Sequence, residues 1–205
     1  MKKYDVIIIG GGLGGLTSGV MLSKEGLSVC VLEKHSVIGG CLQSFKRNGY
    51  TLDTGMHYVG SLSEGQIMHQ YFKYLGVMNS LKLRKLDENG FDHFHFSDGS
   101  SFCHAMGYEK FIGTLVSNFP HEKDGICSFA RTLQYVGRLI TPEILREGKI
   151  SNGGIGYMSI SAYKEIEKHI KDEKLRRVLA GNCGLYAGNS LSTSLYEYGM
   201  ITHSN

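Results

Sequence analysis

Gly10-Gly11-Gly12-Leu13-Gly14-Gly15 is a G-x-G-x-x-G run, and the chemistry that such a spacing can perform is to hold a diphosphate. Gly10 suits the tight turn, Gly12 lets backbone approach a pyrophosphate, and Gly15 lets a helix pack closely on a strand. Leu13 and Gly14 lie between them, where the amides of a helix N-terminus would present N–H groups and positive dipole to an anion. Glu33 follows Gly15 by 18 residues, the place from which a carboxylate accepts both hydroxyls of a ribose. The same carboxylate repels a 2′-phosphate, so FAD or NAD is favoured over NADP. Lys34-His35-Ser36-Val37-Ile38-Gly39-Gly40-Cys41 then sets a second glycine pair just beyond. That pair lies close to where a pyrophosphate and its attached ring system would emerge; an ordinary NAD domain does not need it, and a plain glycine loop is the competing explanation.

These residues need elements to carry them. Val6-Ile7-Ile8-Ile9 is β-branched and lacks polar alternation, as expected of a parallel strand covered on both faces. Leu13, Leu16 and Val20 recur at helical spacing, and Gly26 supplies a left-handed stop. Ser28 to Leu32 reads as a second strand. Strand, glycine turn, helix and strand in about 30 residues make one βαβ unit. Beyond it, Ser63-x-x-Gln66 predicts a capping box opening a helix with Ile67, Tyr71 and Leu75 on one face and Gly76 after it. Residues 91–104 predict a hairpin turning at Asp98-Gly99. Phe111, Leu115 and Phe119 predict a helix stopped by Pro120; Ile126, Phe129, Leu133, Val136 and Ile140 predict another stopped before Pro142. Gly148, Asn152, Gly153, Gly154 and Gly156 predict a loop or hinge over 148–156. Two further helices are expected at Tyr163/Ile166/Ile170 and Leu175/Val178/Leu179.

Composition bounds the function. The 205 residues are 41% hydrophobic and 20% charged, an ordinary globular balance rather than a disordered one. A net charge of +3 gives no argument for a nucleic-acid partner. Five cysteines without a C-x-x-C pair suggest neither a disulfide framework nor a zinc ribbon, and a reducing compartment fits. No signal peptide is read at the N-terminus, and no run of about 18 apolar residues predicts a membrane span. The expected localisation is cytoplasmic, with peripheral membrane contact left open. No Ser/His/Asp triad or P-loop is visible, so hydrolase and kinase chemistry lack support.

The ensemble Gly10–Gly15, Glu33, Gly39-Gly40, with Leu32-Glu33-Lys34-His35, Cys41, Phe45 and Leu52-Asp53-Thr54-Gly55-Met56-His57-Tyr58-Val59-Gly60, resembles FAD-dependent oxidoreductases of the phytoene-desaturase-like group. Within that group it is most similar to retinol saturase and its carotenoid isomerase relatives. The likeness is dense over residues 4–75 and thinner afterwards. It implies an α/β fold: an N-terminal Rossmann-like FAD-binding unit in residues 1–60, then a partial α+β substrate domain in 61–205. It also implies a longer chain, so the remaining strands of the doubly wound sheet and the C-terminal half of the family fold are expected to be absent, as from a fragment. The implied cofactor is FAD, with NAD as a candidate electron donor or acceptor. The cofactor-binding set is then Gly10, Gly12, Leu13, Gly14, Gly15, Glu33, Lys34, Gly39, Gly40 and Cys41.

Other candidates stand beside simpler readings. His57 matches the family's D-x-G-x-H stretch and is a weak catalytic candidate for proton transfer; a loop packed against the cofactor, with Asp53 bonding local backbone, is the stronger reading. Cys41 is a candidate redox thiol or flavin attachment, against the commoner role of a small buried residue. His93, His95 and His104 form a conceivable metal trio without a fourth ligand, and a half-polar hairpin face explains them better; no metal is expected. Arg131 and Arg138 flank an apolar stripe that suits either a lipid headgroup boundary or, more simply, core packing.

The function this implies is redox chemistry on carbon–carbon double bonds of a polyene or isoprenoid lipid, with a lipophilic small molecule as partner. Saturation, desaturation and isomerisation stay open. The alternatives are a non-catalytic dinucleotide-binding module and an NAD-linked dehydrogenase.

Overall fold

The structure is a computed structural model that describes residues 2–139 and 152–204, apart from the side chains of Asn152 and Gly153. Contacts divide the chain into two compact units, one up to Leu81 and one from Lys82 onward.

The first unit begins with the expected βαβ sequence: β1 (Val6–Ile9), α1 (Leu13–Lys24) and β2 (Val29–Leu32). The strands run parallel, in register from Val6 opposite Val29 to Ile9 opposite Leu32. Gly10 ends β1 with φ +105°, a left-handed backbone that side chains rarely adopt, while its N–H donates to the Leu32 carbonyl at 2.7 Å. The face of α1 that meets the sheet is built from small residues. A Cβ on Gly15 would lie 2.0 Å from the Gly10 carbonyl oxygen, and one on Gly19 would lie 3.4 Å from Val31 Cγ2. The expected stripe is corrected accordingly: Leu16 stays partly covered, whereas Leu13 and Val20 are exposed. The helix closes as expected at Gly26, with Gly26 N–H donating to Ser23 O and Leu27 N–H to Leu22 O.

The expectation that β1 is covered on both faces is not met. Ile7 and Ile9 are 60% and 88% exposed, and Leu32 is 51% exposed, because among the described residues only the α1 side of this two-stranded sheet is occupied.

The sequence reading missed an antiparallel hairpin, β3 (Ser44–Arg47) and β4 (Tyr50–Asp53). Asn48 and Gly49 turn it with φ 51° and 82°, the two left-handed positions of a type I′ turn, and the Asn-Gly pair was the available signal. α2 (Ile67–Leu75) starts later than the capping box implied. Gln66 is itself the N-cap and its side chain accepts from Ser63 N–H at 2.8 Å, so half of the reciprocal pair forms one turn early. α2 packs on α1, and residues 61–81 fall in the first unit.

The second unit holds the antiparallel hairpin of β5 (Asp92–His95) and β6 (Ser101–His104), then α3 (Tyr108–Asn118), α4 (Lys123–Arg138), α5 (Asn152–Met158), α6 (Ala162–His169), α7 (Glu173–Leu179) and α8 (Leu195–His203). Side chains of Ser161, Asp172 and Ser194 accept from the third residue beyond them, capping α6, α7 and α8. Phe111, Leu115, Phe119, Ile126, Phe129, Leu133, Val136, Ile166, Ile170, Leu175, Val178 and Leu179 form the core as the periodicity expected. The α4 stripe is thus used for packing, with Arg131 and Arg138 exposed beside it. Ile140, Pro142 and Gly148 lie outside the described residues. From residue 152 the expected loop is a helix, since three glycines do not prevent a helix that has neighbours to pack on: α5 contacts α8.

Candidate functional site: a glycine cradle and its acid

Three segments meet at the C-terminal end of β1. The first is the turn from Gly10 into α1, where Gly12 is the N-cap and no side chain caps the helix. The opening amides of any helix lack acceptors within it, so this turn keeps bare donors at the positive end of the α1 dipole. The second is the segment after β2. Gly39 N–H donates to Gly11 O at 2.8 Å, and Gly39 bridges Gly12 as a one-residue parallel pair. A Cβ on Gly40, at φ +58°, would stand 3.2 Å from Gly12 Cα. Backbone thus lies against backbone with no side chain between, a cradle that any larger residue would fill.

The third is Glu33. Its Oε2 accepts from Gly11 N–H at 2.7 Å and its Oε1 from His35 N–H at 2.9 Å. Those amides, His35 first and then Gly11, hold the carboxyl below its usual range. The group therefore stays an anion at neutral pH. A carboxylate can accept about four hydrogen bonds, so Glu33 keeps capacity for a further donor beyond its backbone amides, and a like-charged 2′-phosphate is disfavoured there.

The sequence-derived residues Gly10, Gly12, Leu13, Gly14, Gly15, Glu33, Gly39 and Gly40 are therefore brought into one place, and Lys34 is exposed directly after the acid. Two residues outside that set also belong. Gly11 is buried against Glu33, since its Cβ would meet Oε2 at 3.2 Å. Gly55 packs on Cys41, the residue after the second glycine pair, its Cβ position 3.0 Å from Cys41 O. Gly55 was legible only as part of the D-x-G-x-H stretch. Cys41 is exposed rather than a small buried residue, and all five cysteines are free. Asp53 pairs with Ser44 at the base of the β3–β4 hairpin, and His57 lies exposed four residues beyond it.

The histidine trio is corrected. His93 and His95 stack on one face of the hairpin at 6.5 Å, but the register sets His104 opposite Asp92, on the other face with Phe94. Among the described residues no group of His, Cys, Asp and Glu is arranged to hold a metal, and no helix is long and apolar enough to cross a membrane.

Comparison with known proteins agrees with this geometry. Residues 8–75 match the NAD(P)-binding Rossmann-like domain family. The all-trans-retinol 13,14-reductase of Rattus norvegicus is 48% identical over 153 residues, which cover 70% of this chain and 24% of that protein. Prolycopene isomerase 2, chloroplastic, of an Oncidium hybrid cultivar is 37% identical over 128 residues, 62% of this chain and 22% of that protein. A triple mutant of putrescine oxidase superimposes with a TM-score of 0.63 at 18% identity, over 97% of this chain and 41% of its own. This chain therefore spans about a quarter or less of the curated relatives' length, and its fold includes a Rossmann-like unit with small open sheets.

Proposed function

We propose that this chain is the dinucleotide-binding portion of an FAD-dependent oxidoreductase that acts on carbon–carbon double bonds of a lipophilic polyene. The observation that carries the reading is the junction of Gly12 with Gly39-Gly40 beside Glu33, a carboxylate already oriented by two amides. Names among the relatives supply the substrate class: a retinol reductase and a prolycopene isomerase.

The residues fit an adenine dinucleotide. Gly10, Gly12, Leu13, Gly14 and Gly15 would hold the diphosphate through backbone amides, and Gly40, whose Cβ would crowd Gly12 Cα at 3.2 Å, keeps the approach open. Glu33 would accept the ribose hydroxyls, and the amides of Gly11 and His35 keep it ionised for that task. Gly39, Gly40 and Cys41, buttressed by Gly55, would lie along the flavin-side phosphate; Lys34 flanks the acid. Flavin, when bound, supplies two-electron redox exchange with a carbon–carbon double bond. The polypeptide's part is to bind, orient and exclude water. His57 is assigned no proton-transfer step, since among the described residues no ionisable partner orients it.

The test is to denature the purified full-length gene product and identify the released small molecule by mass spectrometry. FAD is expected; NAD, or no adenine-containing coenzyme, contradicts the reading.

A further inference from the structure

Two Asn-Gly pairs, at 48–49 and 89–90, are held in opposite ways. Asn48-Gly49 is the tip of the β3–β4 hairpin, and both residues are exposed. Among the described residues nothing accepts from the Gly49 N–H and nothing bonds the Asn48 carboxamide. β3 and β4 pair with each other and, among the described residues, with no other strand. A lone two-stranded hairpin is marginally stable, so its tip opens at low cost. Asn89-Gly90 is clamped instead. The Asn89 carbonyl accepts from the Cys103 thiol at 3.5 Å, the Gly90 N–H donates to Asp87 O at 3.4 Å, and the Gly90 carbonyl lies 3.1 Å from His93 Nε2. Gly90 is also buried, and a Cβ there would stand 3.1 Å from Cys103 Cβ.

An asparagine followed by glycine carries an electrophile and a nucleophile in one dipeptide: the side-chain Cγ and the next backbone nitrogen, which glycine leaves unhindered for lack of a Cβ. We propose that Asn48 is a site of spontaneous covalent modification whose product unlatches the β3–β4 hairpin. The Gly49 nitrogen bonds to Asn48 Cγ, the Cγ–Nδ2 bond breaks, and ammonia leaves with the proton that the Gly49 nitrogen gives up. Water then opens the cyclic imide: addition at the main-chain carbonyl carbon gives isoaspartate, addition at Cγ gives aspartate. Every step is a substitution at a carbonyl carbon, and no electrons are gained or lost. Ring closure requires the peptide plane between Asn48 and Gly49 to rotate out of the I′ turn, so the rate follows opening of the tip. The same rotation at Asn89 requires three held groups and a buried glycine to be released. Isoaspartate routes the backbone through the former side chain and lengthens it by one carbon, which a two-residue I′ turn does not accommodate. Pairing of Arg47 with Tyr50 is then lost first, and loosening spreads toward the hairpin base, where Thr54 N–H donates to Gln43 O at 3.1 Å. The inference concerns the hairpin alone and stands whichever coenzyme the glycine cradle takes.

The experiment is to age the purified 205-residue chain at mildly alkaline pH and body temperature, and to follow the peptides containing Asn48 and Asn89 by mass spectrometry. Isoaspartate is identified by its acceptance of a methyl group from S-adenosylmethionine and an isoaspartyl methyltransferase. In the folded chain Asn48 is expected to convert at least about tenfold faster than Asn89, the frayed tip against the clamped peptide. In strong urea, where both sites are the same dipeptide in an open chain, the two rates are expected to converge. Gly49→Ala is expected to slow conversion at 48 by about tenfold, since a Cβ then shields the nitrogen. The aged fraction is expected to show faster amide exchange over residues 44–53 and unchanged exchange in α4. Equal rates at 48 and 89 in the folded chain overturn the proposal, whether both are fast or both slow. So does conversion indifferent to Gly49→Ala, or an aged chain whose hairpin exchanges no faster than before.

Discussion

The second unit closes a core of its own and the first does not. Among the described residues, every large apolar side chain that is buried lies between Phe111 and Tyr198. Among the described residues of the first unit, only Gly11 and Gly19 are buried. Both units contain well-formed helices and strands, so the difference is not one of local structure. It lies in what the faces meet: α4 sets Ile126, Phe129, Leu133 and Val136 against α3, α6 and α8, whereas α1 meets its sheet through glycines and leaves the outer sheet face bare. Small residues bring the helix N-terminus close to the end of β1, which is what a diphosphate cradle needs, at the expense of apolar burial. One unit is built for stability and the other for approach.

The contrast breaks most readily in the second unit. Leu133→Ala removes a fully buried side chain and is expected to destabilise by about 2–5 kcal/mol, read as a lowered unfolding midpoint in urea.

A similar loss should follow from acid. Burial holds the His104 imidazole down to about 4, although Asp92 and a bond to the Val178 backbone pull the other way. The unfolded chain takes up the proton first, near pH 6.5. Stability is therefore intact above that pH and is lost as the pH falls toward 4, by up to about 3 kcal/mol. Urea midpoints of the second unit measured from pH 7 to 4.5 check this, and His104→Phe should flatten the profile.

In the first unit the larger effect is on binding. Glu33→Ala removes the proposed acceptor for the ribose hydroxyls and is expected to weaken adenine-dinucleotide affinity about 10- to 100-fold, measured by calorimetry, while the urea midpoint of the second unit stays put. The smallest effect sharpens the contrast furthest. Ile9→Ser, on the bare face, should change the stability of the isolated chain by less than about 0.5 kcal/mol; a loss as large as that at Leu133 would show that the face is covered after all.

Sequence pattern disclosed the second unit's core almost residue by residue, because helix periodicity reports burial when the stripe is used, as in α3, α4, α6 and α7. It disclosed the glycine turn, Glu33 and the second glycine pair for a different reason: backbone approach to a ligand demands specific residue types at fixed offsets. It misread α1, where the same periodicity pointed to Leu13 and Val20 although glycines make the contact. β-branched runs suggested a doubly covered strand, but burial of a face depends on what lies opposite, and that is not written in Val6–Ile9. The β3–β4 hairpin was signalled by Asn48-Gly49 alone, since its eight strand residues are all exposed and show no alternation of burial. The helix at 152–158 was hidden because local propensity spoke for a loop and packing on α8 overrode it.

The central claim, that the first unit holds the adenosine diphosphate half of a coenzyme, is tested most directly by titrating ADP into isotopically labelled chain and following the amide resonances. Shifts centred on Gly10 to Gly15, Glu33, Gly39 and Gly40, and abolished by Glu33→Ala, are the result predicted. Shifts elsewhere, or none at millimolar nucleotide, would contradict it.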